Sequence, residues 1–314
     1  MLGYIGRRLL LLIPLLILIT FIVFCLTLLI PGDPARTLAG GEKATPEGIA
    51  QVQHQLHLDE PFFKQYLIWL GNVAHGDLGT SLFQNQSVGE AIAQKFPITF
   101  WIAFGGLVVT VLIGLPAGMI AGTRPGSLVD RVVTMGASVG VAMPDFWLAT
   151  ILISYFAISR GWTYSGYVPI DVDPVAWFQH LWLLWLTIGI AGAAGFARQL
   201  RGAVIDAMQQ DYIRTAQAKG LTQKRIVLKH ALKNASMAPI TVLGLQFAYM
   251  LGGTAILERI FAKNGMGQYF LDGLVKRDLP VIQGVTLVVA VTFVIVNLVI
   301  DVIYAFLNPK VRFA

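Results

Sequence analysis

Asp145 follows Pro144 near the middle of an apolar run from Val132 to Ser159. At the centre of a hydrocarbon layer an acid costs about 2.5 kcal/mol or more, so it implies water, a partner or a polar solute beside it. Pro144 has no amide proton and disrupts the helical ladder, so a bent, cavity-lining segment is expected around Pro144, Asp145 and Phe146. Two roles fit this carboxylate: lining a pathway for a polar solute, or satisfying neighbouring polar groups structurally. Asp301, near the end of a later apolar run, can instead reach the surface or pair.

Other chemistry finds no matching pattern. His54 and His57 are three apart but lack further metal ligands, and His75, His180 and His230 are scattered. There is no G-x-x-x-x-G-K-[ST] phosphate loop, no H-E-x-x-H helix and no G-x-S-x-G elbow. Cys25 is the single cysteine and sits in an apolar run, where a thiol serves as a small buried side chain. The expectation is a chain without catalytic residues, bound cofactor or metal, and without an ATPase site of its own.

A second group of residues owes its interest to conformation. Asp211 to Lys219 favours a helix, Gly220 supplies a left-handed stop, and Thr222 is placed to cap a following helix. Arg214, Thr215, Ala216, Lys219, Gly220, Leu221 and Thr222 thus form a helix, a tight turn and a helix start. A basic element of this kind can lie on anionic lipid or dock on a protein.

These residues must be positioned by membrane spans. The chain is 56% hydrophobic and 13% charged, with a mean hydropathy of +0.69, which excludes an ordinary water-soluble core. Six apolar runs are long enough to cross about 30 Å of hydrocarbon: Leu9 to Ile30, Ile98 to Gly122, Val132 to Ser159, Phe178 to Ala197, Met237 to Leu257 and Val281 to Leu307. Arg7 and Arg8 precede the first, which exceeds a signal-peptide core and reads as a retained anchor ending at Pro31-Gly32-Asp33-Pro34. With both termini cytoplasmic, the basic cluster from Arg198 to Lys233 lies inside, together with Arg124, Arg131, Lys310 and Arg312. The +6 formal charge therefore reflects membrane orientation and does not suggest nucleic acid. Trp177, Phe178, Trp182 and Trp185 suit an aromatic belt at the outer interface.

Residues 1–31 form the N-terminus and first span, 32–97 an outer helical loop, and 98–314 a five-span core containing the cytoplasmic loop 198–236. In the outer loop, Thr45-Pro46-Glu47 starts a helix with Ile49, Val52 and Leu56 on one face. Pro61 starts a second, with Phe62, Phe63 and Tyr66 on an apolar face that either receives a partner or packs on the membrane domain. Ser87 and Glu90 form a capping-box pattern for a third. Gly114, Gly118 and Gly122 make a small-residue stripe for close helix packing.

The segment Arg214-Thr215-Ala216 with Gly220 resembles the EAA motif of permease subunits in binding-protein-dependent ABC importers, with the glutamate and first alanine replaced. The likeness to the dipeptide/oligopeptide/nickel branch extends along the chain. It is carried by Arg7-Arg8, Pro31 to Ala35, Gly76-Asp77-Leu78-Gly79-Thr80-Ser81, Pro144 to Leu148, Asp211 to Thr222, His230 to Ala235, Val242 to Gln246, Gly265-Met266-Gly267, Arg277-Asp278, Gln283-Gly284, Asn297, Asp301 and Asn308-Pro309. The resemblance implies a six-span, all-α type I importer permease in a bacterial cytoplasmic membrane. Its partners would be a second, similar permease, two cytoplasmic ABC ATPase subunits or domains carrying ATP and magnesium, and an extracytoplasmic solute-binding protein. The loop would then be the coupling element, and short peptides the leading solute, with nickel chelates or glutathione as alternatives. A self-sufficient secondary transporter is the competing class, but no inverted repeat is visible between the halves.

Overall fold

A computed structural model describes residues 2–29, 35–36, 44–55, 57–162 and 164–307. The expected outer end of the first span at Pro31-Gly32-Asp33-Pro34, together with Leu56, Asn308-Pro309, Lys310 and Arg312, lies outside them. All regular secondary structure among the described residues is helical, joined by turns and loops, with one isolated bridge between Thr80 and Ser87. The helices are Leu2–Leu29 (α1), Pro46–Gln55 (α2), Phe62–Ala74 (α3), Val88–Thr123 (α4), Leu128–Ala142 (α5), Asp145–Ile158 (α6), Pro174–Met208 (α7), Asp211–Ala218 (α8), Gln223–Ala235 (α9), Met237–Gly253 (α10), Ala255–Ile260 (α11), Met266–Lys276 (α12) and Leu279–Leu307 (α13).

Helices α4, α7 and α13 are each long and apolar enough to cross a membrane, and the bent pairs α5/α6 and α9/α10 qualify as broken spans. α1 is a sixth apolar helix, running alongside α13 with Arg8 Nη1 2.7 Å from Asp301 Oδ2. Asp301 therefore pairs. The 36 residues of α4 extend about 54 Å. The helix expected from Ser87 and the second span are one continuous element, and the Ser87 side chain makes no capping bond. α7 also overruns its expected bounds, because Asp173 caps it through Val175 N and Ala176 N and Pro174 sits at N1. It continues to Met208, so Arg198 and Arg201 stand on the helix and not in a loop.

The packing of α4 on α7 is the spine of the molecule. A Cβ on Gly118 would lie 2.8 Å from the Ala197 carbonyl, and one on Gly122 would lie 2.7 Å from Val204 Cβ, so the stripe serves close helix approach. Trp185, expected in an interfacial belt, is buried and donates Nε1–H to the Trp101 carbonyl at 2.8 Å. Trp177 stacks edge-on against both. Burial of these large rings in the core outweighs an interfacial position, and Phe178 stays exposed.

Candidate functional site

At Met143 and Pro144 the chain takes extended backbone, as the residue before a proline prefers, and α6 leaves α5 at 99°. Proline at the break withholds a donor from the ladder, so the bend is far sharper than a kink. The turn carries Asp145 into a cleft of about 330 Å³ between α5, α7 and α10. Asp145 is half-buried, whereas Pro144 and Phe146 do not line the cleft and Phe146 is exposed. Of Pro144, Asp145 and Phe146, only Asp145 lines this cleft.

Four other polar residues line the cleft, Thr254 among them, and the residue pattern singled out none of them for it. Arg198 projects from α7, Tyr249 from α10, and Gln246 donates Nε2–H to the Gly192 carbonyl at 3.1 Å. Gln246 Oε1 is buried without a partner among the described residues. The signal for Gln246 was its place in an apolar run; for Arg198, a helix that outlasts its apolar stretch.

Below the cleft, Asp130 at the start of α5 receives a bidentate pair from Arg201: Nη2 to Oδ2 at 2.8 Å, and Nε to Oδ1. Gly126 N donates to the same carboxylate at 2.8 Å. The Arg201 guanidinium and this amide hold the Asp130 carboxyl well below the usual range. α5 is thereby fastened to α7 near its start.

The turn between α8 and α9 is built as the residue pattern requires. Gly220 has φ +73°, Gly220 N bonds the Gln217 carbonyl at 2.9 Å, and Leu221 N reaches back to Ala216 O at 3.3 Å, a Schellman termination of α8. Ile213 and Ala216 are buried against Phe196, Leu200, Val204 and Ile226, with Leu221 packed beside them. Ala216 and Leu221 thus fix the helix to its own bundle. Arg214, Thr215, Lys219, Gly220 and Thr222 remain exposed, with Arg214 3.4 Å from Asp211 and Thr215 Oγ1 bonded to the Asp211 carbonyl. Thr222 stands at the N-cap of α9 but its side chain makes no capping bond; α9 begins on backbone bonding alone.

Helix α3 is not a free lid. Tyr66 is buried, its hydroxyl 3.0 Å from Thr20 Oγ1, and Phe62 and Tyr66 both pack on Phe21 and Phe24 of α1. Only Phe63 of the three expected contact residues is exposed, since α3 spends its aromatic face on the first span. A separate polar knot went unread in the sequence because Glu258 stood at the flank of an apolar run. Its carboxylate is fully buried, with Thr99 Oγ1 donating at 2.7 Å, Gln268 N at 2.8 Å and Thr254 Oγ1 at 3.2 Å. Nearby Lys263 is also fully buried and donates to the carbonyls of Tyr164 and Gly166, and burial pushes its ammonium down to about 8. Gly76 to Ser81 docks on the start of α13 through Ser81 Oγ and Asp278 Oδ2, 2.6 Å apart.

Comparison with known proteins agrees with this arrangement. Residues 114–313 match the family described as binding-protein-dependent transport system inner membrane component, and residues 1–103 match the N-terminal model of such membrane components. The chain is 39% identical over 313 residues to the glutathione transport system permease protein GsiC of Escherichia coli (strain K12), covering the whole of both chains. The GsiC of Shigella boydii serotype 4 (strain Sb227) is equally similar. Among solved structures, an inward-facing MetNI methionine ABC transporter chain matches with a TM-score of 0.55 at 21% identity, over 69% of this chain and 96% of that one.

Proposed function

Because the chain belongs to the family of inner-membrane permease components of binding-protein-dependent ABC importers, we propose that it is a six-span subunit forming half of the translocation pathway for short peptides. The second wall comes from a similar permease. An extracytoplasmic binding protein delivers solute, and two ABC ATPase subunits or domains, holding ATP and magnesium, drive the cycle from the cytoplasm. Both termini face inward. The names of the relatives favour a narrower reading, glutathione as the solute.

The observation that carries this reading is the turn at Gly220. A helix pinned by Ile213 and Ala216 while its polar face stays exposed has the form of a rigid docking element, able to pass a rigid-body movement of an ATPase into α7 and α9. No atom lies within 4 Å of a Cβ built on Gly220, so substitution there acts through backbone strain alone, about 1–3 kcal/mol for a β-branched residue. Gly220→Val is expected to insert and pair with its partner permease but to lose ATPase docking or uncouple hydrolysis from uptake. Gly220→Asn, which tolerates positive φ, is expected to restore coupling. Normal coupled transport by Gly220→Val, with cysteines at Thr215 and Thr222 never crosslinking to an ATPase, would replace this reading with a lipid-surface role for the loop.

A further inference from the structure

Asp145 and Arg198 bring opposite charges to one cleft, and among the described residues neither has an ion-pair or side-chain hydrogen-bond partner. Nor do they pair with each other, for a geometric reason. α5 and α7 touch where a Cβ on Gly140 would lie 2.8 Å from Ala194 Cβ. From that crossing α5 climbs three residues outward to the break before Asp145, while Arg198 lies four residues inward along α7. At 1.5 Å per residue the two stations are about 10 Å apart along the bundle. Gln246 stands between them, because its amide bonds the Gly192 carbonyl and lies 3.5 Å from a Cβ on Gly195, both at the level of the crossing. Its Oε1 is the buried acceptor without a partner. Two extended peptide residues span about 7 Å and three about 10 Å. The spacing matches the charged ends of a solute of that length once side chains reach inward.

We propose that this cleft reads a two- or three-residue peptide as a zwitterion: Asp145 takes the terminal ammonium, Gln246 Oε1 accepts a backbone N–H, and Arg198 takes the terminal carboxylate. The carboxylate end thus faces the cytoplasm. Asp145 stands within a span, where a lone charge is costly, and a solute that bridges it to the exposed Arg198 at the end of α7's apolar stretch neutralises both. A buried unpaired acceptor is costly too, and the solute N–H removes that cost. The proposal rests on the cleft being the pathway wall of an importer.

The test uses the intact complex in proteoliposomes with its binding protein in excess and three probes: Ala-Ala, N-acetyl-Ala-Ala and Ala-Ala-amide. Taking the variant-to-wild-type ratio for each probe cancels selection by the binding protein. Asp145→Asn is expected to lower Ala-Ala uptake about ten- to hundredfold while barely changing the ratio for N-acetyl-Ala-Ala. Arg198→Gln should show the same contrast between Ala-Ala and its amide. Asp145→Glu and Arg198→Lys, which keep the charges, should retain discrimination and guard against simple misfolding. Equal loss, or no loss, across all three probes in folded variants overturns the zwitterion assignment while leaving the importer reading intact. Failure of a loaded binding protein to stimulate hydrolysis by the wild-type complex would overturn the importer reading itself.

Discussion

At one end of the bundle, α4, α11 and α12 are tied together by Glu258, a buried carboxylate with hydroxyl and amide donors on three sides, and buried Lys263 holds the carbonyls of Tyr164 and Gly166. At the opposite end, α8 is held by Ile213 and Ala216, two apolar side chains, while its polar residues face solvent. A satisfied polar knot has one geometry and loses much when any member is removed. Apolar contacts are less directional, and the polar side chains of α8 bond only within their own helix while facing solvent. The Glu258 end is built to keep a shape, and the α8 end to offer one.

The largest expected effect tests the knot directly. Glu258→Leu leaves the Gln268 amide and the hydroxyls of Thr99 and Thr254 without an acceptor, at about 1–3 kcal/mol for each buried group. A loss of several kcal/mol should abolish the folded chain, as read by size exclusion and thermal unfolding in detergent, and Glu258→Gln should retain most of it. Ile213→Ala removes buried apolar volume under α8 for about 2–5 kcal/mol, but from a peripheral hairpin. It should spare the bundle and reduce ATPase coupling. If the two variants unfold alike, the contrast between the ends fails.

A smaller effect comes from Lys263. Burial lowers its pKa from 10.5 to about 8, so the folded state disfavours the proton relative to the unfolded chain. The penalty is complete below pH 8 and fades as pH rises to about 10.5. Stability from this group therefore increases through that window, by no more than about 3 kcal/mol at 1.36 kcal/mol per unit. Thermal unfolding between pH 7 and 10.5 should show the wild type gaining on Lys263→Met as pH rises. Parallel curves would place the ammonium in contact with water.

Much of this was legible in the residues, and what was not has physical causes. The six apolar segments, the break at Pro144 and the left-handed Gly220 follow from composition and backbone chemistry, which act locally. The extent of α4 and α7 did not, because hydrophobic length marks the membrane crossing and not the helix, which continues while capping and packing permit. Glu258 and Lys263 carry no signal in the sequence, since their partners Thr99 and Gly166 are 159 and 97 residues away. In the cleft, Asp145 was visible as a misplaced charge, whereas Arg198 became part of the same site only when α7 proved to carry it there.

The smallest effect concerns α3, where sequence pattern and structure divided most. Phe62, Phe63 and Tyr66 looked equivalent on an apolar face, yet Tyr66 is 8% exposed and Phe63 70%. Tyr66 OH meets Thr20 Oγ1 at 3.0 Å, in the middle of α1, and Ile17 O at 3.4 Å. Tyr66→Phe keeps the ring contacts with Phe21 and Phe24 and removes only the hydroxyl, a loss of about 1 kcal/mol. That should appear as a small drop in thermal stability without change in assembly. Phe63→Ser touches neither α1 nor the core, so folded stability should stay within about 0.5 kcal/mol. Its effect belongs elsewhere: if the exposed ring meets the binding protein, stimulated ATP hydrolysis falls while basal hydrolysis is unchanged. If stimulation is also unchanged, α3 is a brace for the first span and the outer partner docks on another surface.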